Sequence, residues 1–494
     1  MHALPYLFDS AAARSLDARA CALQGDGGWR LMAAAGAAAW QCILQHWPQA
    51  RHLCVVVGSG NNGGDGWVLA THALQAGRQV QVIVLPGTSP ATPLAERAAA
   101  GFAAARGHFS VFEGTLPAAD LLVDALAGLG LRGALHGSAE AVVGALNAHP
   151  APVLALDVPS GIDADRGVAH GVAVRASRTL QFIVAHRGLY TGDGLVHAGC
   201  LDLAPLELPA GAWGDVTPAA EWWRQARLPL LLPPRPLDAH KGTSGHVVCV
   251  GGNHGSGGAL LLAGHAALRA GVGLTSLATR SAHVGAALTR LPEAMCHAVD
   301  GAVPAHLLQR ASVLAIGPGL GQDDWALGLW QQARDSGKPL VVDADALNLL
   351  AADPRPVADA VLTPHPGEAA RLLGDTTQAI QQDRFGAAQA LAERFTAVVV
   401  LKGAGTVVAA PGRAPAVIGA GNPGMAVGGM GDLLTGIIAA LRAQGLGAFE
   451  AAAAGALLHG LAGDVAATDG ARGLLPTDLL APLRRLCNPD TFHA

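Results

Sequence analysis

Short apolar runs, several of which stop at a glycine or an aspartate, recur along this chain, with helical stretches between most of them. LCVVVG, QVQVIVLPG, LLVDAL, PVLALDVPSG and TLQFIVA come first. HVVCVGG, LTSLAT, SVLAIGPG, PLVVDADAL, AVLTPHPGE and AVVVLKGAG follow. Strands alternating with helical patterns argue for a parallel, doubly wound α/β sheet. A chain of 494 residues exceeds one ordinary core, so two or more domains are expected. Between residues 204 and 236 the composition changes: prolines cluster, Trp222 and Trp223 adjoin, and PLLLPPRP is expected not to be helical. That stretch reads as the domain junction. An Ala-rich helical region from Ala11 to Leu44 precedes the first strand, and GMGDLLTGIIAALRAQG and AFEAAAAGALLHGLAGDVAA are two long helical patterns late in the chain.

Composition narrows the partners. Hydrophobic residues make up 51% and charged residues 14%, a globular balance. A net charge of −5 gives no reason to expect nucleic acid or an anionic membrane surface. No apolar run is long enough to span a bilayer, and the start, MHALPYLFDSAAARS, lacks a secretory pattern, so a cytoplasmic location is expected. The 7 cysteines are scattered without Cys-x-x-Cys or Cys/His metal spacing, and are expected to be reduced. Lysine is used only at positions 241, 338 and 402; Lys402 sits in KGAGT, where a compact ammonium beside glycines suits a phosphate.

In the first half, GSGNNGGDG (Gly58–Gly66) directly follows a strand. Gly58, Gly60 and Gly63 fit a dinucleotide-binding glycine pattern, but the acidic residue expected at the end of the next strand is missing. Asn61 and Asn62 offer amide oxygens for a cation or a polar ligand edge, and Asp65 sits between glycines. An ordinary turn would use the same residue types. Asp124 in VDALAGLGLRG and Asp157 in LALDVPSGIDAD stand at strand ends, the second followed by Ser160. In open α/β sheets ligands bind beyond the carboxyl ends of strands, so these groups can converge. Oxygen donors without Cys or His favour a hard cation.

In the second half, NPGMAVGGMGD (Asn422 to Asp432) runs into an apolar helix. Glycines here leave backbone N–H groups free at a helix N-terminus, a natural phosphate site. Gly429, Met430 and Gly431 form the expected anion hole, and Asp432 is either a helix cap or the base for a substrate hydroxyl. His365 in TPHPGE ends another strand and faces the same edge if the sheet is parallel.

GSGNNGGDG, VDALAGLGLRG and DVPSGIDADRG, followed by HKGTSGHVVCVGG, GPGLG, TPHPGE, KGAGT and NPGMAVGGMGD, resemble the bifunctional NAD(P)H-hydrate repair enzymes. The resemblance implies an epimerase domain over residues 1–215, with a Rossmann-like doubly wound sheet. It implies a ribokinase-like ADP-dependent (S)-NAD(P)H-hydrate dehydratase domain over residues 225–494. In the first, Asn61, Asn62, Gly63, Gly64 and Asp65, with Gly128, Leu129, Gly130, Leu131, Arg132, Gly133 and Ala134, are implied to contact the hydrated nucleotide. Asn62, Asp124 and Ser160 are implied to ligate K+, and Asp157 to be the acid–base group at the hydrated carbon. In the second, Ala259, Gly319, His365 and Asp432 are implied to contact the hydrate. Lys402, Gly403, Ala404, Gly405, Thr406 and Gly431 are implied to contact ADP, the phosphoryl donor, with Mg2+. A homo-oligomer is implied, since the family commonly assembles. This chain departs from the family at His186, where a lysine is usual, and in the alanines that follow Leu31 and Met32. Two other readings stay open: a ribokinase-like vitamin-precursor kinase, or a dehydratase fused to a non-catalytic scaffold domain.

Overall fold

A computed structural model describes residues 6–131 and 133–489. The chain divides into two compact units, the first ending at Ala220 and the second beginning at Glu221.

The first unit contains β1 (Tyr6–Leu7), β2 (His52–Val57), β3 (Gln79–Val84), β4 (His108–Val111), β5 (Leu121–Ala125), β6 (Val153–Leu156), β7 (Arg178–Phe182) and β8 (Cys200–Ala204). The last seven form one sheet in the order β4-β3-β2-β5-β6-β7-β8, parallel throughout. The chain winds outward from β2 to β4, then returns to the other side of β2 at β5. A crevice therefore opens beyond the carboxyl ends of β2 and β5. The Ala-rich region is two helices, Ser10–Gln24 and Trp29–His46, parted where Gly25 adopts a left-handed φ of 67°. The glycine-rich motif after β2 differs from the expected turn: the helix already starts at Asn61 and runs to Gln75, so Asn62 to Asp65 lie within its first turns.

The second unit contains all but the first residue of β9 (Ala220–Trp223), then β10 (His246–Val250), β11 (Leu274–Thr279), β12 (Met295–Ala298), β13 (Val313–Ile316), β14 (Leu340–Val342), β15 (Ala360–Leu362), β16 (Val398–Leu401), β17 (Val407–Ala409) and β18 (Ala416–Ile418). Their order is β9-β18-β17-β16-β15-β14-β13-β10-β11-β12. Pairing is parallel from β16 to β12 and antiparallel at β16–β17 and β17–β18. The winding reverses at β10 and β13, so the carboxyl ends of β10, β13, β14, β15 and β16 line one edge. Helices Met430–Ala443 and Ala448–Ala466 are buried along most of their length and pack in the core.

The junction carries one element that the sequence did not signal and one that corrects an expectation. It holds a strand, β9, which pairs with β18 and buries Trp223 to 2% exposure. PLLLPPRP contributes to a helical turn, Leu228–Leu231, because Pro229 falls in the first turn, where no backbone N–H is needed. No helix among the described residues is long and apolar enough to cross a membrane.

Candidate active sites

In the first unit the ends of β2, β5 and β6 bring several of the expected side chains together. Asp124 is fully buried at the end of β5 and accepts from the Ser160 backbone N–H at 2.8 Å and the Ser160 hydroxyl at 2.7 Å. The Leu126 amide adds a bond at 3.2 Å. Burial outweighs these bonds and pushes the Asp124 carboxyl up to about 6. The Ser160 oxygen in turn accepts from the Ala127 N–H at 2.9 Å, next to Gly128. A Cβ on Gly128 would stand 2.7 Å from Asp157 Oδ2 and 3.3 Å from Asn62 Cγ, so only glycine lets these two side chains close in. Both polar atoms of the Asn62 side chain are buried without a protein partner. A buried amide left unsatisfied is costly, so Asn62 is a group built for a ligand or a cation. The donors offered by Asn62, Asp124 and Ser160 are all oxygens, a type that suits a hard cation such as potassium.

Asp157 directly follows β6 with a φ of +66°, a conformation uncommon outside glycine. Its Oδ2 accepts from the Leu129 N–H at 3.2 Å, and its Oδ1 meets His186 Nε2 at 2.9 Å. His186 is 0% exposed, and its N–H donates to Gln181 Oε1 at 2.7 Å. The residue at the lysine position thus makes a direct contact with the candidate acid–base group. Burial first, then the charges of Asp157 and Asp17, push the half-buried Asp65 carboxyl well above its ordinary value. Asp17, on helix Ser10–Gln24, is raised by burial and then by Asp157.

The remaining expected residues of this half are placed less centrally. Asn61 is exposed, with its Oδ1 bonded to Thr92 Oγ1 at 2.7 Å. Gly63 and Gly64 serve close packing: a Cβ would meet the Gly58 carbonyl at 2.0 Å and Met32 Cε at 2.4 Å. Leu131 and Leu129 are half-buried, Gly130, Gly133 and Ala134 are exposed, and Arg132 lies outside the described residues.

In the second unit Lys402 directly follows β16 and donates to Asp343 Oδ1 at 2.9 Å, with Glu368 Oε2 at 3.7 Å. Asp343, directly after β14, also accepts from Thr363 Oγ1 at 2.7 Å and Thr435 Oγ1 at 3.0 Å. Burial raises the Asp343 carboxyl, but the Lys402 charge and these bonds outweigh it and hold it below the ordinary range. A Cβ on Gly431 would be 3.3 Å from Lys402 Nζ and 3.4 Å from Asp343 Oδ2, so the glycine turn and the lysine share one site. Gly429 caps helix Met430–Ala443 with a φ of 95°, leaving Met430, Gly431 and Asp432 in the first turn, where N–H groups have no helical partner. Burial, then the negative charges of Asp343 and Asp345 against the opposing Lys402, push Asp432 up to about 7.

Gly403, Ala404, Gly405 and Thr406 follow Lys402, with Thr406 Oγ1 donating to the Gly403 carbonyl at 3.1 Å. Beneath them lies Arg384, 1% exposed, donating to the Leu401 and Lys402 carbonyls, each at 3.2 Å. Arg384→Met is expected to cost about 2–3 kcal/mol of stability through the unpaired carbonyls. The surviving folded enzyme should show a raised KM for nucleotide with little change in KM for the other substrate. Thermal melts and steady-state kinetics check this.

His365 caps helix Pro366–Leu373, its Nδ1 accepting from the Gly367 and Glu368 amides at 3.0 and 3.2 Å. Burial, then Lys402 and Arg371, lower its pKa, so the ring is neutral with its proton on Nε2. Its Nε2 stands 3.4 Å from Glu368 Oε1, the side chain that completes the cap by accepting from the His365 amide at 2.7 Å, so a ligand contact at Nε2 would be shared with the cap. Gly319 packs on Ser256 and Ala259, where a Cβ would stand 3.3 Å from Ala259 Cβ. That contact joins the GPGLG and GGNHGSGG loops at the ends of β13 and β10. Asp343, Glu368, Thr435, Arg384 and Asp17 did not emerge from sequence. Asp343 carried the signal that singled out Asp124 and Asp157, a carboxylate ending an apolar run.

Comparison with known proteins agrees with this division. Residues 247–485 match the family model described as NAD(P)H-hydrate dehydratase, and residues 28–188 match that of the YjeF-related protein N-terminus. The chain is 43% identical over 464 residues to a bifunctional NAD(P)H-hydrate repair enzyme of Escherichia coli (strain K12), covering 94% of this chain and 90% of that protein. It is 45% identical over 469 residues to the enzyme of the same description from Coxiella burnetii, covering 93% and 95%. Among solved structures, a ribokinase-like superfamily protein from Enterococcus faecalis V583 aligns with a TM-score of 0.50 at 30% identity, covering 55% of this chain and 95% of that one.

Proposed function

The chain belongs to the bifunctional NAD(P)H-hydrate repair enzymes, and from that membership we propose how its two sites divide the work. It is an NAD(P)H-hydrate epimerase and dehydratase. The first unit interconverts the R and S hydrates, and the second dehydrates the S form with ADP. Membership displaces the vitamin-precursor kinase reading.

The observation that carries the dehydratase mechanism is Asp432, raised to about 7 in the first turn of a helix beside Lys402. A carboxylate of that basicity accepts a proton near neutral pH. The ring hydroxyl oxygen attacks the β-phosphorus of ADP, Asp432 takes the hydroxyl proton, and AMP leaves with the electron pair of the broken P–O bond. Lys402 and the Gly429–Gly431 amides hold the charge that develops on the phosphoryl oxygens. The ring C–O bond then breaks, with phosphate taking the pair and the ring nitrogen supplying electrons. Loss of a proton from the neighbouring carbon restores the double bond. Hydroxide would be a far poorer leaving group than phosphate. Mg2+ would enter on the ADP phosphates.

In the first unit, Asp157 serves as acid–base group at the hydrated carbon, with His186 holding its carboxylate. Potassium would be held by Asn62, Asp124 and Ser160, and would supply positive charge beside the bound nucleotide. A cytoplasmic homo-oligomer completes the reading.

The pH dependence tests it. The kcat for ADP-dependent dehydration should fall about tenfold per unit below the Asp432 value of about 7, because only the ionised form is a base. A flat profile down to pH 5 would remove Asp432 from that role.

A further inference from the structure

Asp343 has no part in the chemistry just described, yet it joins four pieces of the second site. Its Oδ1 accepts from Lys402 Nζ at 2.9 Å and from Thr363 Oγ1 at 2.7 Å. Its Oδ2 accepts from Thr435 Oγ1 at 3.0 Å, on the helix that begins at the glycine turn. Its backbone N–H donates to the Ile316 carbonyl at 3.1 Å. Asp343, 1% exposed, thus ties β14 through its carboxylate to the ends of β15 and β16 and to helix Met430–Ala443, and through its backbone N–H to the end of β13. The next residue, Ala344, takes a φ of +49°, a conformation alanine rarely adopts. That turn lets Asp343 point into the core while Asp345 Oδ2 accepts from the Gly321 amide at 2.8 Å. Strain of this kind persists where surrounding contacts over-determine it.

We propose that Asp343 is a positioning residue for phosphoryl transfer, fixing the Lys402 ammonium against Gly431 and locking the KGAGT loop to the anion hole. The proposal rests on the phosphoryl-transfer reading above. An ammonium has three donors. Asp343 engages one and Glu368 stands at 3.7 Å, which leaves the group oriented with donor capacity for a phosphoryl oxygen. A lysine on a flexible four-carbon stem would otherwise pay ordering entropy at each turnover. Gly431 lies within reach of both partners, so movement of the pair would disturb the turn itself.

The test is Asp343→Asn in the full chain, with Thr435→Val as a milder companion. The groups facing Asp432 are Asp343, Lys402 and Asp345. Removing the negative charge at 343 leaves Lys402 less neutralised, so both changes favour the ionised Asp432. Asp343→Asn should lower kcat about a hundredfold, raise KM for ADP about tenfold, and move the acid limb of the pH profile to lower pH. Thr435→Val should move KM for ADP in the same direction by less. A folded Asp343→Asn protein with wild-type KM and an unmoved limb overturns the proposal, as does a lowered Tm with kinetics intact. Should Asp343→Asn fail to fold, an unchanged KM in Thr435→Val overturns it. Calorimetry with ADP separates the two claims. A wild-type enzyme without ADP-dependent dehydration sinks the reaction reading, whereas equal ADP affinity in wild type and Asp343→Asn sinks the positioning role.

Discussion

Asn in place of Asp432 is expected to lower dehydratase kcat by about a thousandfold while leaving ADP affinity within about threefold. The amide keeps the shape of the carboxylate in the first turn of helix Met430–Ala443, but it cannot take the hydroxyl proton. Stability should not fall. The native Asp432 carboxyl is raised to about 7 from an ordinary 3.8, so its charged form is the less favoured one in the fold. Such a group costs stability progressively as pH rises from 3.8 through 7, and a neutral amide removes that cost. Single-turnover kinetics, ADP calorimetry and melts at two pH values check the three parts. Loss of ADP binding together with activity would make Asp432 a structural cap instead.

The second large effect belongs to the first unit. Asp157→Asn should slow R-to-S interconversion about a hundredfold or more and leave dehydration of pure S hydrate at the wild-type rate. Asn is the fitting substitution because it tolerates the left-handed φ of 66° at this position. His186→Gln should give an intermediate loss, since His186 touches Asp157 only through the bond at 2.9 Å. Epimer-resolved chromatography over time reads both. Unchanged interconversion in Asp157→Asn would favour a scaffold role for this unit.

The sites were legible where chemistry sits at the end of an apolar run. Asp124, Asp157, Lys402 and the Gly429–Gly431 turn all follow or precede strongly patterned elements, and parallel winding carries them to common edges. Asp343 obeys the same rule in PLVVDADAL, but its partners Thr363, Lys402 and Thr435 are far apart in sequence. Asp17 gave no signal, because a carboxylate on a helix looks the same whether it faces solvent or Asp157. Asn and Gly favour turns locally, so the helix start at Asn61 was hidden by propensity that packing on Gly58 and Met32 overrides. Strand β9 was hidden for a different reason: its partner β18 lies nearly two hundred residues later. Cys42, His46 and Asp202 also meet without any spacing motif, but Arg178 already holds Asp202 at 2.6 Å.

The most direct test is recovery of dihydronicotinamide absorbance from a mixed R and S hydrate preparation with ADP, Mg2+ and K+. The account predicts complete recovery, with the R fraction consumed faster than its spontaneous epimerisation allows, and AMP and phosphate formed in step. Recovery that stops at the S fraction, or proceeds without AMP, would contradict it.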